Sequence, residues 1–330
     1  TKNVYLSENI DHHIIAWEQF AVQSTLQNMP LAAANVKLSK ALHVNEKSNS
    51  VVITGRDFSL IFDKTSGLIK NYQYQQTAML TEAPSLNFWR LPTDNDRGWE
   101  MHNRNDLWRT ASMHQELTSS RLEELDPHNI VLTTSFTLAK GAAQATIKWH
   151  INSQGRIVAN VHFMPNKEKL PLMPRIGLHM SIPEDMQSLA WYGRGPHENY
   201  VDRKASAAVG LYTSKVSEQF HDYSRPQESG NKTDTHWLKV VNSSAVGWRF
   251  TSDDVFQFSA LQGDKFHLYR AKNHPRHVAA INYPNSNVVR LDYLHMGVGG
   301  DDSWGAKPHP EFLVRPEEYS FSFVMEPINE

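Results

Sequence analysis

The sequence contains no cysteine in its 330 residues. Disulfide bonds, thiolate nucleophiles and cysteine-ligated metals are therefore excluded within this chain. A complete lack of cysteine favours a reducing compartment, and we expect a cytoplasmic protein.

Long apolar runs and blocks of positive charge are also lacking. No run of about 18 apolar residues occurs, so we expect no contact with a membrane. A signal peptide begins with a basic segment followed by an apolar stretch, and this pattern does not occur in the sequence, so we expect no signal peptide in it. Lys and Arg (33) nearly balance Asp and Glu (35), which leaves a net charge of −2 and makes nucleic acid an unlikely partner on electrostatic grounds. Because the chain begins at Thr1 rather than Met, we expect a fragment of a longer polypeptide.

Short segments of alternating apolar and polar residues dominate the chain. Phe58–Phe62 and Leu68–Tyr74 flank a turn that ends at Gly67, which predicts a β-hairpin with this glycine in the left-handed conformation. Ala145–Ile151 and Arg156–Phe163 predict a second hairpin. Period-two alternation buries one face of each strand. Because few amphipathic helices intervene, the pattern predicts an all-β protein built from packed antiparallel sheets.

The same patterns divide the chain into three parts. Residues 1–22 contain a strand-like segment and are interpreted as the tail of a preceding domain. Residues 23–45 show no clear period and are interpreted as a linker. The regular strand pattern then continues, so residues 46–330 are predicted to form one large sandwich. An apolar fraction of 40% is sufficient for a core of that size.

Motifs of several enzyme classes are missing. The chain contains no G-x-S-x-G nucleophile elbow, no P-loop and no H-E-x-x-H. Gly193 and Gly195 lack the third glycine and the following helix of a dinucleotide-binding loop. His274 and His277 have the spacing of metal ligands, but Pro275 between them argues against a helix. We interpret both as exposed loop histidines.

Four segments combine turn-forming residues with large aromatic ones. They are Asn87–Gly98, Gly193–Arg203, Arg225–Asn231 and His295–Trp304. Tight loops, in which Asp and Asn side chains bond the local backbone, explain such a composition. Loops on a rigid sandwich are also where binding sites lie. From the residues alone, the purely structural explanation is favoured.

In their order and letters, these segments resemble domain five of the β-galactosidases of glycoside hydrolase family 2. The matching motifs are F-W-R-x-P-T-D-N-D-R-G at Phe88–Gly98, G-R-G-P-H-E-N-Y-x-D-R at Gly193–Arg203, P-Q-E-S-G at Pro226–Gly230 and H-M-G-V-G-G-D-D-S-W at His295–Trp304. One departure is Ser229, where the family more often has asparagine. The segment Ala16–Phe20 also resembles the end of the immunoglobulin-like domain that precedes this one in the family.

The resemblance implies a fold and an activity. The fold is a large antiparallel supersandwich similar to the galactose-mutarotase fold. The activity is retaining hydrolysis of terminal β-D-galactosides such as lactose. In the family, the acid/base glutamate, the nucleophilic glutamate and the magnesium and sodium ligands lie upstream in a TIM barrel. None of those motifs occurs here, so we expect no catalytic residue, no metal site and no cofactor in this chain.

The resemblance also implies partners for the chain. They are a β-galactoside sugar and the upstream TIM-barrel and immunoglobulin-like domains of the same enzyme, which we expect to form a homo-oligomer. An autonomous carbohydrate-binding or mutarotase-like domain is the alternative. A mutarotase needs a histidine acid and a carboxylate base facing one sugar. The sequence upstream discriminates between the two, because a TIM barrel with two glutamate motifs occurs only in the first.

One residue receives a role from the resemblance. In the family, the tryptophan that ends the fourth motif reaches into the barrel's pocket as an apolar platform for the sugar, and here it is Trp304. The loop with Asp96, Arg97, Gly98 and Trp99 is expected beside that pocket. The residues themselves leave open that Trp304 packs beneath its own loop, since tryptophan is usually well buried.

The acidic side chains of the motifs are not expected to be catalytic. They are Glu198, Asp202, Glu228, Asp301 and Asp302. A retaining glycosidase needs two carboxyl groups about 5–5.5 Å apart and a raised pKa on the acid. Glu198 and Asp202 lie near Arg194 and Arg203, and pairing with arginine lowers a carboxyl pKa. We therefore interpret these acids as loop-tying ion pairs and caps.

The segment Gly98–Asp106 is predicted to be exposed and among the most mobile parts of the chain. It is polar apart from Trp99 and Met101, and Gly98 provides a hinge. A short helix is predicted directly after it, over Asp106–His114, with Asn105 or Asp106 near its start.

Overall fold

A computed structural model describes residues 17–20, 40–263, 285–302 and 304–330. The chain divides into two compact units, Thr1–Ala34 and Asn35–Glu330. In the first unit only residues 17–20 are described, and within them Trp17 and Phe20 are exposed. Most of the predicted tail strand and linker therefore lies outside the described residues, as do His274 and His277.

Five strands form a small sheet at the beginning of the second unit, and each pairs with its neighbours in sequence. They are β1 (His43–Glu46), β2 (Ser50–Thr54), β3 (Phe58–Asp63), β4 (Leu68–Tyr74) and β5 (Thr77–Ala78). The predicted β3–β4 hairpin is confirmed, with Gly67 at a φ of +71°. Asp63 begins its turn by accepting hydrogen bonds from the Thr65 amide (3.0 Å) and the Ser66 hydroxyl (2.9 Å). β1 begins inside the segment interpreted as a linker.

A large sheet of twelve strands makes up most of the described structure. Its strands are β6 (Glu82–Asn87), β7 (Gln115–Asp126), β8 (Asn129–Leu138), β9 (Ala143–Asn152), β10 (Ile157–Pro165), β11 (Arg175–Pro183), β12 (Ser188–Gly195), β13 (Ala208–Lys215), β14 (Lys232–Val241), β15 (Val246–Gln262), β16 (Ser286–His295) and β17 (Tyr319–Asn329). Its strand pairs are antiparallel. The expectation of an all-β antiparallel fold is confirmed.

The large sheet divides at the long strand β15. The main path runs β13-β12-β14-β15-β17-β10-β9-β8-β7. The first part of β15, Val246–Ser252, pairs with β17. Its last part, Gln257–Gln262, pairs with β16, which continues to β11 and β6. Two branches of one sheet therefore diverge from a single strand, which allows them to enclose a common core.

Alternation along the strands produces the core. In β9 the side chains of Ala145, Ile147, Trp149 and Ile151 are buried and their neighbours are more exposed. The predicted β9–β10 hairpin is confirmed by their paired register. The core also joins the two sheets, because the rings of Tyr72 and Trp248 lie 4.7 Å apart and the Trp248 indole N–H donates to the Met79 carbonyl at 2.9 Å.

Three short helices connect β6 to β7. They are α1 (Asp94–Gly98), α2 (Met101–Arg104) and α3 (Asp106–Met113). α3 confirms the predicted helix. No helix within the described ranges is long and apolar enough to cross a membrane.

The expectation that Gly98–Asp106 is exposed holds for Glu100, Asn103 and Arg104 but is wrong for three other residues. Trp99 is 3% exposed, Met101 is fully buried and Asn105 is 2% exposed. α1 begins with a capping box, in which the Thr93 hydroxyl accepts from the Asp96 amide (3.1 Å) and Asp96 Oδ2 accepts from the Thr93 amide (2.9 Å). The helical turns then direct the two large apolar side chains inward. The two apolar side chains of the segment are therefore buried, whereas its mobility stays a prediction.

Candidate functional site

The four turn-rich segments, which are far apart in sequence, meet in the folded chain. Direct hydrogen bonds connect the first segment with the third and fourth. Asn95 Nδ2 donates to the Val298 carbonyl at 3.0 Å, and the Asp94 amide donates to Gln227 Oε1 at 3.2 Å. Gln227 Nε2 returns a bond to Asp94 Oδ2 at 2.9 Å. We refer to these four joined segments as the motif cluster.

Arg90 lies at the centre of the motif cluster and is fully buried. Its Nε and Nη2 donate to the two carboxylate oxygens of Asp96 at 2.9 and 2.8 Å. The same guanidinium donates to the carbonyls of Met296 (2.5 Å) and Gly297 (2.8 Å). Only the planar fork of an arginine can make such a bidentate pair and still reach a second loop. Asp96 is therefore a structural partner and is itself 1% exposed.

A second buried charge network connects the third segment to the sheet. Glu228 exchanges backbone and side-chain hydrogen bonds with Leu91, and its Oε1 accepts from Arg175 Nη1 at 3.3 Å. Arg175 Nη2 also donates to Asp292 Oδ2 at 2.6 Å. Burial raises the pKa of Asp292 to about 6, although the Arg175 charge acts in the opposite direction. Arg175 is thus the common partner of the buried acids Glu228 and Asp292.

Glu198 accepts hydrogen bonds from four groups, of which the Tyr200 hydroxyl is the most distant at 3.5 Å. Arg203 Nη2 donates to its Oε1 at 2.6 Å, the Gly230 amide donates to Oε2 at 2.7 Å, and the Tyr223 hydroxyl donates to Oε1. The predicted pairing of Glu198 with Arg203 is confirmed. This carboxylate closes the second segment onto the third.

The expectation that Arg194 also neutralises Glu198 or Asp202 is wrong. Arg194 Nε donates to Asp234 Oδ2 at 2.5 Å, and Lys204 donates to the same carboxylate at 3.0 Å. Arg194 lies within β12, and the adjacent strand β14 carries Asp234 alongside it. The pairing of β12 with β14 places Asp234 beside Arg194. Acids close to Arg194 in sequence therefore did not indicate its partner.

Asp202 fixes the glycine-rich loop of the fourth segment. Its Oδ2 accepts from the Gly299 amide at 2.7 Å. A Cβ at Gly297 would lie 2.5 Å from the same oxygen, so a larger residue would displace the carboxylate. The close approach of Asp202 therefore requires glycine at position 297, and the Ala306 carbonyl, 2.6 Å from a Cβ at Gly300, requires it at position 300.

Trp304 lies on this loop and its side chain is 79% exposed. Asp302 Oδ1 accepts from the amides of Trp304 (3.0 Å), Gly305 (2.9 Å) and Ala306 (2.9 Å). These backbone bonds, Ala306 first, lower the pKa of Asp302. The loop is also closed by Asp301, whose Oδ1 lies 2.8 Å from His309 Nε2. Trp304 does not pack beneath its own loop; Ser303 is outside the described residues.

A small cavity opens between the segments of the motif cluster. Its volume is about 130 Å³. Its walls are Thr93, Asp94, Asn95, Tyr200, Arg203, Tyr223, Gln227, Glu228 and Val298. All four segments or the residues beside them contribute to it, which no single motif indicated.

The residues expected beside the pocket line none of this cavity. Asp96 faces Arg90, and Arg97 Nη2 donates to the Pro226 carbonyl at 3.4 Å. Trp99 is buried with Lys307 Nζ 5.4 Å from its ring centroid. Gly98 ends α1, and Trp304 is also absent from the cavity wall. The structure thus assigns supporting positions to Asp96, Arg97 and Trp99.

Several buried charges of the site were missed by sequence reasoning. Arg175 in β11 and Arg290 and Asp292 in β16 are buried within strands that are otherwise largely apolar. A charge in a largely apolar strand is itself a signal, because such residues are almost never buried without a partner. Arg90 carried the same signal within the first segment.

Among the described residues, no group of three or more His, Asp or Glu side chains is arranged to hold a metal ion. The acids of the motif cluster instead accept bonds from arginine, tyrosine and backbone amides.

Comparison with known proteins gives a family match and several relatives. The family model described as "Beta galactosidase small chain" matches residues 54–325. The β-galactosidase of Priestia megaterium is 34% identical over 95% of this chain and 30% of its own length. That of Halalkalibacterium halodurans is 30% identical over 84% of this chain and 27% of its own length. The chain spans about 30% of the length of such relatives.

Solved structures of aldose epimerases are also similar to the chain. A putative aldose 1-epimerase of Escherichia coli K12 has a TM-score of 0.46 and 8% identity, covering 88% of this chain and 100% of its own. A galactose 1-epimerase of Lactobacillus acidophilus has a TM-score of 0.47 and 9% identity, covering 87% and 99%. Similarities at this level carry no conclusion about activity.

Proposed function

Because the chain belongs to the β-galactosidase small-chain family, we propose that it is the C-terminal part of an enzyme that hydrolyses terminal β-D-galactosides such as lactose. It contributes one wall of the sugar pocket. The acid and nucleophile of a retaining mechanism come from the remainder of the polypeptide, since the chain spans only about 30% of the relatives' length.

The exposed indole of Trp304 is the observation that carries this proposal. A tryptophan that is 79% exposed leaves a large apolar surface in water, so a ligand that covers it gains from the burial of that surface. The face of an indole suits the apolar face of a hexopyranose, because it attracts C–H groups and excludes water. Three backbone bonds to Asp302 hold the loop in shape, so little ordering accompanies binding.

The state of the acids supports a binding role rather than a catalytic one for this chain. Glu198 is tied by four donors and Glu228 by Arg175 and Leu91. The pKa of Asp302 is lowered, which is the wrong direction for a general acid. Asp292 has a raised pKa but is fully buried against Arg175, away from any substrate.

The experiment is Trp304→Ala in the full-length polypeptide, with steady-state kinetics on a chromogenic galactoside. We expect KM to rise more than kcat falls, because the contact exists in both the ground and transition states. The loss corresponds to about 1–3 kcal/mol, the range of a binding hot spot. Trp304→Phe restores part of it.

Leu211→Ala is the matched control, since Leu211 is an exposed apolar side chain (69%) on β13 and outside the motif cluster. We expect neither its KM nor its unfolding midpoint to change. A lowered midpoint with unchanged KM in Trp304→Ala would make Trp304 a structural residue and contradict the proposal.

A further inference from the structure

A second cavity lies next to the Gly193–Arg203 segment and has no part in the function proposed above. Its volume is about 260 Å³. Trp191, Pro196 and Phe220 provide apolar walls, and Lys232, Gln219 and the two acids Glu198 and Glu218 are among the polar ones. The cavity is twice the size of the one in the motif cluster.

Lys232 brings a buried ammonium to this cavity. It is the first residue of β14 and is 1% exposed. Its Nζ donates to Gln219 Oε1 at 2.9 Å and to the Gly230 carbonyl at 3.2 Å. Nζ also lies 5.5 Å from the centroid of the Trp191 ring. An ammonium has three N–H donors, and among the described residues the third has no oxygen acceptor.

The charge of Lys232 is not neutralised within the described part of the chain. Glu198 is the acid whose charge acts on it, but Glu198 is paired with Arg203 and forms no ion pair with Nζ. Of the other titratable groups on the cavity wall, Glu218 is tied to the Lys215 amide and the Ser214 hydroxyl, while His197 and His221 are exposed. A buried cation without a counter-ion is costly.

We propose that this cavity binds a small carboxylate, with one oxygen at the N–H of Lys232 that has no acceptor among the described residues and an apolar body against Pro196, Phe220 and Trp191. One cation and one free donor suit a singly charged ligand better than a phosphate, which requires several donors. The apolar walls favour a carboxylate with a short hydrocarbon or aromatic body. Burial lowers the pKa of Lys232 to about 8, and a bound anion would raise it again.

The test is calorimetric titration of the 330-residue chain with sodium benzoate and with benzamide, its uncharged counterpart, at constant ionic strength. We expect saturable binding of benzoate and binding of benzamide weaker on the order of tenfold, because only the anion pairs with the ammonium. At pH 8, titrations in two buffers of different ionisation enthalpy should reveal proton uptake with benzoate. Equal affinity for both compounds, or no saturable binding of benzoate, overturns the proposal.

Substitution locates the site. Lys232→Met should lose benzoate binding on the order of tenfold, whereas Lys148→Met, at an exposed lysine of β9, should leave it unchanged. Circular dichroism establishes that Lys232→Met is folded; if it is not, the benzoate and benzamide comparison on the parent chain decides. Unchanged binding in a folded Lys232→Met variant, or tighter Lys232-dependent binding of inorganic phosphate than of benzoate, also overturns the proposal.

Discussion

Arg90 connects two loops through one guanidinium. It neutralises Asp96 in the first helix and donates hydrogen bonds to the Met296 and Gly297 carbonyls on the far loop. Both charged groups are almost completely removed from water. If one of the two is replaced, the remaining charge of Arg90 or Asp96 is buried without a partner and without water. A single substitution at either residue should therefore destabilise the whole motif cluster.

We expect Arg90→Met to lower the free energy of unfolding by about 3–5 kcal/mol, because it leaves the Asp96 carboxylate buried without its partner. Urea unfolding followed by tryptophan fluorescence measures this change. The control is Arg121→Met, at an arginine whose side chain is 76% exposed, for which the change should stay within about 0.5 kcal/mol. Similar losses in both variants would contradict the prediction.

His295 couples the same region to pH. Burial lowers its pKa well below 6.5, and the charges of Arg175, Arg90 and Arg290 act in the same direction. Its contribution to stability is therefore fully present above the unfolded value and is lost as the pH falls below it. Asp292 acts in the opposite sense, because its pKa is raised from 3.8 to about 6 and its contribution is lost as the pH rises through 6.

We therefore expect His295→Gln to lose less stability than the parent chain when the pH falls from 7.5 to 5.5. The difference in slope is at most about 1.4 kcal/mol per pH unit for one proton. Unfolding free energies at several pH values measure it, and the unchanged Asp292 contributes equally to both proteins. Equal slopes would show that His295 titrates normally in the folded chain.

At the scale of elements, the helices between β6 and β7 brace the loop that carries Trp304. The Thr93 capping box begins α1, and Trp99 beyond its end contacts Lys307 two residues before the closing histidine of the loop. Asn95 also bonds the Val298 carbonyl. The segment expected to be loose is thus a support for the exposed tryptophan.

Hydrogen exchange should reflect this support. We expect the amides of Trp99–Asn105 to exchange more slowly than those of the exposed turn Asn166–Lys169, because burial raises the free energy of local opening. Thr93→Ala should accelerate exchange in α1 and cost about 1 kcal/mol, the usual value of a lost N-cap. Equally fast exchange in both segments of the parent chain would contradict this prediction and would show that residues 99–105 are mobile.

At the scale of the whole molecule, the sandwich positions four loops through ion pairs and backbone hydrogen bonds. The motif acids are engaged in ties between loops or in caps. The large sheet forks at β15 around a core that contains six fully buried or nearly buried tryptophans. This architecture is suited to holding loops rigidly, and rigid loops suit a wall of a binding pocket.

We expect the 330-residue chain to fold and yet to leave a chromogenic β-galactoside unhydrolysed, because a retaining mechanism needs two available carboxyl groups and the motif acids are held in ion pairs, ties and caps. The chain is prepared from a host without its own β-galactosidase, and the full-length polypeptide serves as the positive control. Turnover well above the uncatalysed rate would contradict the prediction and make the motif acids catalytic candidates.

The sequence by itself determined the local structure and the family. Alternation predicted the strands of both hairpins, and Gly67 predicted its turn, because period and backbone conformation depend on neighbouring residues. The Thr93–Asp96 capping box was also readable and would have identified α1. Four motifs in the family's order sufficed to indicate the family, because residue identities can be matched without any knowledge of the contacts that the residues make.

Only the tertiary structure decided which of these residues meet. Arg90 donates to carbonyls more than two hundred positions away in sequence. Arg194 pairs with Asp234 rather than with Glu198, which is nearer in sequence. Trp99 became buried and Trp304 exposed, although both follow glycine-containing turns. Partners and burial are set by how strands pair and loops converge, and these long-range contacts leave no local pattern from which they can be predicted.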